Sequence, residues 1–595
     1  MTSLDNQHIL YDQALFVRKR IERILFLSLF FGFCLVIYQI SFPKELLIHD
    51  IVNNILRQIP RFLIPLYFVK WIIPYLRPKA HNSQIQRDLS DLLFALLLGT
   101  FHFTKASISL LQSEWFLYIL LSLIFGVKLM RQGEMLKNSL LNPSILLTFS
   151  FSMTILLGTA LLLIPGATNG NLSFIDALFT ATSAVCITGL STVDVSTKFT
   201  TIGQGTILVL IQIGGLGLMT FTNFFAYLFR GGMSFHNHLI LSNILETNDR
   251  SSLFGTLLKI LVFTVLVEFF GALLIFLLFL DKATIAGSDT LFFSVFHSIS
   301  AFCNAGFSTV SNGLFHEDIR FNYSLQWIIV ALIVFGGIGF PVVIDLYNGA
   351  KLFLRFILSK LKKERFSASA RYTNVHSKLV LTTTFVLILL GSIVYFITEK
   401  NNVLAIHSTI YGKITQAVFG SVTPRTAGFN TIDVGELMQG TVLLYLLLMW
   451  IGASPSSTGG GIKTTTFTIA FLNVFALAKG KNRVEVFKRE ITANSIQRAF
   501  AVIFLSLMII GLAVFFISIF EPHQSLTKIA FECFSAYSTV GLSMNLTPEL
   551  STPSKVVLII TMFLGRIGMF TFLLGLFKKV DCSHYKYPQE SVLIV

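Results

Sequence analysis

Residues 174–190 read FIDALFTATSAVCITGL, and three later stretches follow the same plan: LFFSVFHSISAFCNAGF at 291–307, ITQAVFGSVTPRTAGF at 414–429 and LTKIAFECFSAYSTVGL at 526–542. Each begins as an apolar helical run too short to cross a bilayer, the length expected of a buried or re-entrant helix. Each then ends alike, at Ile187-Thr188-Gly189-Leu190, Asn304-Ala305-Gly306-Phe307, Thr426-Ala427-Gly428-Phe429 and Thr539-Val540-Gly541-Leu542. A second mark follows at matching distance, an apolar residue before a glycine: Ile213-Gly214, Phe335-Gly336, Ile451-Gly452 and Leu564-Gly565. Three of these continue as GGLG at 214–217, GGIG at 336–339 and GRIG at 565–568; the third departs from the form. Two marks in the same order, four times, predict a fourfold repeat of helix, re-entrant loop, helix.

The rest of the chain agrees with a membrane setting. It has 595 residues, 54% hydrophobic and 13% charged, with mean hydropathy +0.74; a soluble globular protein carries about 25% charged residues. Twelve spans are expected, at 24–40, 62–76, 92–111, 115–130, 145–165, 202–229, 257–280, 325–346, 379–396, 441–478, 501–520 and 555–577. The second is interrupted by Pro60, Pro65, Pro74 and Lys70. No cleaved signal peptide is read at the N-terminus. Lys and Arg exceed Asp and Glu by 45 to 30, and the excess gathers in alternate short loops, most densely between Lys351 and Lys378 and between Lys479 and Arg498. The intervening linkers lean acidic. By the positive-inside rule both termini are cytoplasmic. Sixty Phe against four Trp suit lipid and packing surfaces, and nothing points to nucleic acid. The five cysteines form no CxxC or His/Cys cluster, which excludes a disulfide framework and a zinc site.

Backbone that leaves the helix inside a membrane must be buried in protein or line a water-filled path. Glycine at such a turn permits left-handed conformations, so that successive carbonyls can point one way. Four such loops on one axis would present rings of carbonyl dipoles able to replace the hydration shell of a bare cation. A single such glycine would read as a helix-packing contact; four in register argue for a pathway. The expected architecture is an all-α polytopic membrane protein with a pseudo-fourfold pore. Its divisions are an N-terminal membrane extension (1–141) of about four helices and pore repeats at 142–245, 246–370, 371–490 and 491–595.

From about Asn142 onward the chain resembles the KtrB/TrkH superfamily of potassium transporters, the membrane subunits of Ktr and Trk systems. The resemblance is carried by TSAVCITGL (182–190), QIGGLG (212–217), SVTPRTAGFNT (421–431), SPSSTGGGIK (454–463), Phe531-Glu532 leading to TVGLS (539–543), and KYPQE (586–590). It implies potassium uptake across the plasma membrane through one pseudo-fourfold pathway. It also implies a homodimer, a cytosolic nucleotide-binding regulatory subunit, potassium as substrate and no cofactor. The potassium-binding filter then maps onto Ile187, Thr188 and Gly189, Asn304, Ala305 and Gly306, Thr426, Ala427 and Gly428, and Thr539, Val540 and Gly541. Each has one glycine where the potassium-channel filter has two, from which weaker discrimination among cations is expected.

The third repeat breaks its last helix with GASPSSTGGGIK at 452–463, since three glycines and Pro455 cannot continue a helix. Broken helices at membrane depth belong beside cavities, and in the resembled family a loop at this place is a movable gate. The gate residues are Gly452, Ser454, Ser456, Ser457, Thr458, Gly459, Gly460, Gly461 and Lys463, together with Arg566. Lys463 either faces the pathway or snorkels to the inner surface. Arg566 holds the slot that is glycine in two sister repeats, within an apolar helix, where an unpaired Arg is costly; it would repel cations, pin the loop through its carbonyls, or form a structural ion pair. A phosphate-binding loop is excluded because Ile462 separates Gly461 from Lys463 and no strand precedes it. Arg425 is expected to hold filter backbone, Glu532 to favour cations beside the fourth filter, and Glu268 lies in an apolar helix. His297, His407, Cys186 and Cys303 read as packing residues.

The rival reading is an ion-coupled secondary cation carrier, driven by sodium or protons, which also uses repeats and broken helices. Its repeats are often inverted, whereas these four run in one orientation. No HExxH, nucleophile elbow or carboxylate pair suggests an enzyme. The resemblance leaves residues 1–141 unexplained, and they read as a packing or docking module.

Overall fold

The computed structural model describes residues 2–41, 47–72, 92, 94–99, 117–118, 120–121, 124–125, 143–217, 253–280, 284–285, 288–361, 374–568 and 572–573. The fold is helical. An N-terminal pair, α1 (Thr2–Ser41) and α2 (Leu47–Ile72), is joined by Lys70 Nζ donating to Glu22 Oε1 at 3.0 Å. Its own core includes Leu25, Leu29, Leu56, Leu63 and Tyr67, with parts of the chain between 94 and 125. Pro60 and Pro65 lie within α2 rather than ending it.

Four units of one plan follow. The first is α3 (Pro143–Leu162), α4 (Phe174–Cys186) and α5 (Thr201–Gly215). The second is α6 (Leu253–Leu278), α7 (Thr290–Phe302) and α8 (Tyr323–Ile338), continued by α9 (Phe340–Leu361). The third is α10 (Val375–Glu399), α11 (Ile410–Val422) and α12 (Gln439–Trp450), continued by α13 (Thr464–Ala478). The fourth is α14 (Ala493–Phe520), α15 (Leu526–Tyr537) and α16 (Thr552–Ile567). In each unit the middle helix is short, and three of the four are N-capped by a hydroxyl that accepts a backbone N–H: Asp176 N to Ser173 Oγ, Gly412 N to Thr409 Oγ1 and Lys528 N to Ser525 Oγ.

Segments 258–278, 375–399 and 493–520 are long and apolar enough to cross a membrane, and α6 turns Val262, Val265, Leu266, Phe269 and Phe270 outward, exposed. Such apolar outer faces are what a lipid solvent selects; the chain is a multi-pass membrane protein. The third helix of each unit packs on the short helix of the next: α5 on α7, α8 on α11, α12 on α15 and α16 on α4. The units therefore close into a ring around the four loops.

One expectation needs correction. Residues 325–346 were expected as a single span, with a break only in the third unit. Instead α8 ends at Ile338 and α9 leaves at 100°, because Gly339 takes φ +93. Gly217 (φ +75) follows α5 and Gly568 (φ +83) follows α16 in the same way, whereas α12 of the third unit stops earlier, at Trp450. The expected spans at 92–111, 115–130, 202–229 and 555–577 lie partly outside the described residues.

Candidate ion pathway

Each short helix is followed, within four residues of its end, by a residue of left-handed conformation that is not glycine: Ile187 (φ +57), Asn304 (φ +58), Thr426 (φ +86) and Thr539 (φ +50). Two positions on, the glycines repeat it: Gly189 (φ +88), Gly306 (φ +69), Gly428 (φ +74) and Gly541 (φ +95). The intervening Thr188, Ala305, Ala427 and Val540 have negative φ. Four non-glycine residues held in this region, in register, mark stored strain of the kind found at functional sites. The amides of the middle residues donate backward, Thr188 N to Ser183 O (2.7 Å), Ala305 N to Ser300 O (2.8 Å), Ala427 N to Thr423 O (3.0 Å) and Val540 N to Ser535 O (2.9 Å). Their carbonyls accept nothing, and neither do those of the other eight filter residues, among the described residues. Carbonyls without a donor in and beside buried residues such as Thr188, Ala305, Ala427 and Val540 are costly unless a cation or water completes them.

The glycines locate those carbonyls. A methyl placed on Gly189 would collide with Ala305 O, on Gly306 would lie 2.8 Å from Ala427 O, on Gly428 would collide with Val540 O, and on Gly541 with Thr188 O. The contacts run from unit one to two, three, four and back to one. The four loops thus close on one axis, which no linear arrangement of repeats would do. The short helices all end there, directing their partial negative ends at the same point, where a cation is favoured.

The predicted gate residues lie against this ring. Ile451 and Ile462 bridge in parallel, with Gly452 N donating to Ile462 O at 2.9 Å, so 452–463 returns close to where it left. The loop reaches the second unit through Ser454 N to Gly337 O (3.1 Å) and Phe340 N to Ser456 O (3.2 Å), and Thr458 Oγ1 donates to Phe302 O (3.3 Å). It reaches the fourth through Gly460 N to Thr539 Oγ1 (3.0 Å). A methyl on Gly459 would meet Thr426, one on Gly460 would meet Thr539, and one on Gly461 would meet Ser538. Arg566 donates to Thr458 O and, at 2.6 Å, to Gly214 O of the first unit. Lys463 Nζ donates to Gly459 O at 2.6 Å, and Ser457 Oγ to Ser454 O at 2.6 Å. The loop is thereby held by the second and fourth units, and Arg566 ties it in turn to the first.

A family profile described as "TrkH: Cation transport protein" matches residues 117–585. The chain belongs to the TrkH cation transport family. Similar curated proteins include "Ktr system potassium uptake protein B" of Bacillus subtilis, 37% identical over 78% of this chain and 99% of that protein. Another is "Potassium/sodium uptake protein NtpJ" of Enterococcus hirae, 36% identical over 76% of this chain and 97% of its own length. The crystal structure of the potassium transporter TrkH from Vibrio parahaemolyticus superposes with TM-score 0.56 at 16% identity, covering 88% of this chain and 98% of that one, which speaks to the fold. The family is one of transporters, not enzymes.

Within this TrkH-family chain other polar residues brace the four loops from behind. His297 Nε2 bonds Ser308 Oγ at 2.9 Å and its Nδ1 the Phe293 carbonyl. Gln416 donates to Thr431. Glu532 accepts from Ser543 Oγ (2.5 Å), Met544 N (3.2 Å) and Thr547 Oγ1 (2.7 Å); its oxygens brace the chain that leaves the fourth loop, a contact additional to the electrostatic role expected from sequence. Sequence reasoning missed this role, whose signal is a polar residue in mid-helix followed by Ser or Thr two or three residues beyond the filter glycine. Glu268 accepts from Gln212 Nε2 at 3.0 Å. Arg425 is buried with its Nε lacking a partner among the described residues, and its backbone forms the turn through Arg425 N to Val422 O (3.1 Å). His407 bonds Tyr323, and Cys186 and Cys303 are buried, Cys303 against Gly215.

Proposed function

We propose that this chain is the potassium-translocating, channel-like subunit of a Trk/Ktr-type uptake system in the plasma membrane, with both termini cytoplasmic. The observation that supports this reading best is the closed ring of filter glycines, each against the next unit's free carbonyl. Residues 187–189, 304–306, 426–428 and 539–541 take up the dehydrated ion, and 452–463 with Lys463 and Arg566 form the gate beneath them. Potassium is the substrate suggested by the names of the similar proteins. The division at residues 141, 245, 370 and 490, a homodimer and a cytosolic nucleotide-binding regulatory subunit belong to the same proposal. The basic cytoplasmic loops offer such a regulator an electrostatic surface.

The test is potassium uptake in a potassium-requiring host, comparing the unaltered chain with substitutions at Gly189 and Gly428, with and without a regulatory partner. Rescue by the unaltered chain and failure of well-expressed variants is expected; rescue by both variants contradicts the proposal. Deleting Gly459 to Gly461 should raise flux if the loop is a barrier, and unchanged flux in a well-folded deletion counts against the gate. Reversal potentials separate the carrier reading: a channel-like path follows the potassium gradient alone, whereas a coupled carrier shifts with the sodium or proton gradient.

A further inference from the structure

The turn at Gly339 joins two helices in different surroundings. α9 departs at 100° to α8; with α8 read as crossing the membrane, that angle turns α9 toward the plane of the bilayer surface. The corner is fastened to the loop of the third unit. Phe340 N donates to Ser456 O at 3.2 Å and Ser454 N to Gly337 O at 3.1 Å, while a methyl on Gly339 would lie 2.6 Å from Pro455 O. A swing of α9 about Gly339 therefore displaces Ser454 to Ser456.

The sequence of α9, FPVVIDLYNGAKLFLRFILSKL, becomes basic along its length. Asp345 is its single acid, and it is engaged by Asn374 Nδ2 (3.2 Å) and Ser377 Oγ (2.5 Å) at the start of α10. Val342 is buried with Ile338 and Val380, which anchors the first turn. Beyond it Leu346 and Tyr347 are 42% and 60% exposed. Lys351 and Arg355 are exposed and pair with no acid among the described residues. Lys360, Lys362, Lys363 and Arg365 continue the run in sequence. A helix interleaving apolar and basic residues, lying in the membrane plane on the positive-inside face, beds its apolar side among headgroups and gathers anionic lipid. A soluble acidic partner would match the charge but would leave Leu346, Tyr347 and the apolar residues between the lysines without a purpose, so lipid is the better fit.

We propose that the basic half of α9 docks on anionic phospholipid headgroups of the inner leaflet, and that this contact, carried through Gly339 and Phe340, holds Ser454 to Thr458 beneath the filter. The proposal rests on the reading of residues 452–463 as the gate. Its test uses the full chain in proteoliposomes of phosphatidylcholine, alone or mixed with phosphatidylglycerol, with rubidium flux measured at saturating potassium. Retained phosphatidylglycerol is counted by mass spectrometry on the purified protein. The unaltered chain is expected to conduct several-fold less in anionic vesicles and to retain phosphatidylglycerol. K351Q/R355Q is expected to lose both effects, while K481Q/R483Q, in the neighbouring cytoplasmic hairpin, keeps them. Flux indifferent to lipid charge, an unchanged response in K351Q/R355Q, or a response that requires an added soluble protein overturns the proposal. The deletion of 459–461 separates the two ideas. If it leaves flux unaltered, the gate reading fails; if it raises flux while the unaltered chain ignores lipid charge, the lipid proposal alone fails.

Discussion

Gly428 shows how much one residue decides here. Its φ of +74 disfavours any side chain by about 1–2 kcal/mol, and its α-carbon faces the Val540 carbonyl so closely that a methyl has no room. Gly428→Ala should therefore reduce potassium uptake by roughly tenfold or more, since about 1.4 kcal/mol corresponds to a factor of ten, with the protein still recovered from the membrane; wild-type uptake would refute the ring. Gly336 tests packing instead of conduction. A methyl there would enter the Phe302 carbonyl, so Gly336→Ala should cost on the order of 1–3 kcal/mol, read as earlier thermal unfolding in detergent. Gly511, in the middle of α14 with nothing within 4 Å of the same added atom, is the control: its change to Ala should be neutral or raise stability by about 0.4–1 kcal/mol. The filter glycines were legible in sequence because four of them stand at one register. The left-handed conformation of Ile187, Asn304, Thr426 and Thr539 was not, because none is a glycine and an isoleucine stands where the others are polar, so the backbone relates all four.

At the scale of elements, the loop at 452–463 was legible because three glycines and a proline cannot continue a helix. Its fastening was not, since it is made by Thr458, Gly460 and Ser456 meeting Arg566, Thr539 and Phe340, residues between 79 and 116 positions away. Arg566 bonds Thr458 and Gly214 together, linking the loop to the first unit. Arg566→Gln removes that link and a positive charge from the path, and should raise potassium flux while leaving the ratio of potassium to sodium flux unaltered. A fall in flux with folding intact would mean that Arg566 supports the path rather than obstructs it. The bend after α8 escaped notice because hydropathy is continuous through Gly339, and an apolar run does not say where a backbone turns.

At the scale of the whole molecule, the ring is asymmetric in a way that bears on selectivity. Each loop supplies one glycine and so one tight crossing of carbonyls, and among the described residues the third unit crosses beneath it with a loop. Discrimination between potassium and sodium should accordingly be weaker than in a tetrameric filter with two glycines per chain, as measured by permeability ratio; an equal ratio would contradict this. The closure of the four units, α5 on α7, α8 on α11, α12 on α15 and α16 on α4, was implied by the repeat but not fixed by it, because a sequence repeat also permits a line or a pair of halves. The central claim is that the closed ring of free carbonyls is where the ion sits. The most direct measurement is anomalous diffraction from rubidium-soaked crystals of the unaltered chain: the account predicts a peak on the axis among the carbonyls of Thr188, Ala305, Ala427 and Val540, and rubidium found only at carboxylates such as Glu268 or Glu532, with none on that axis, would contradict it.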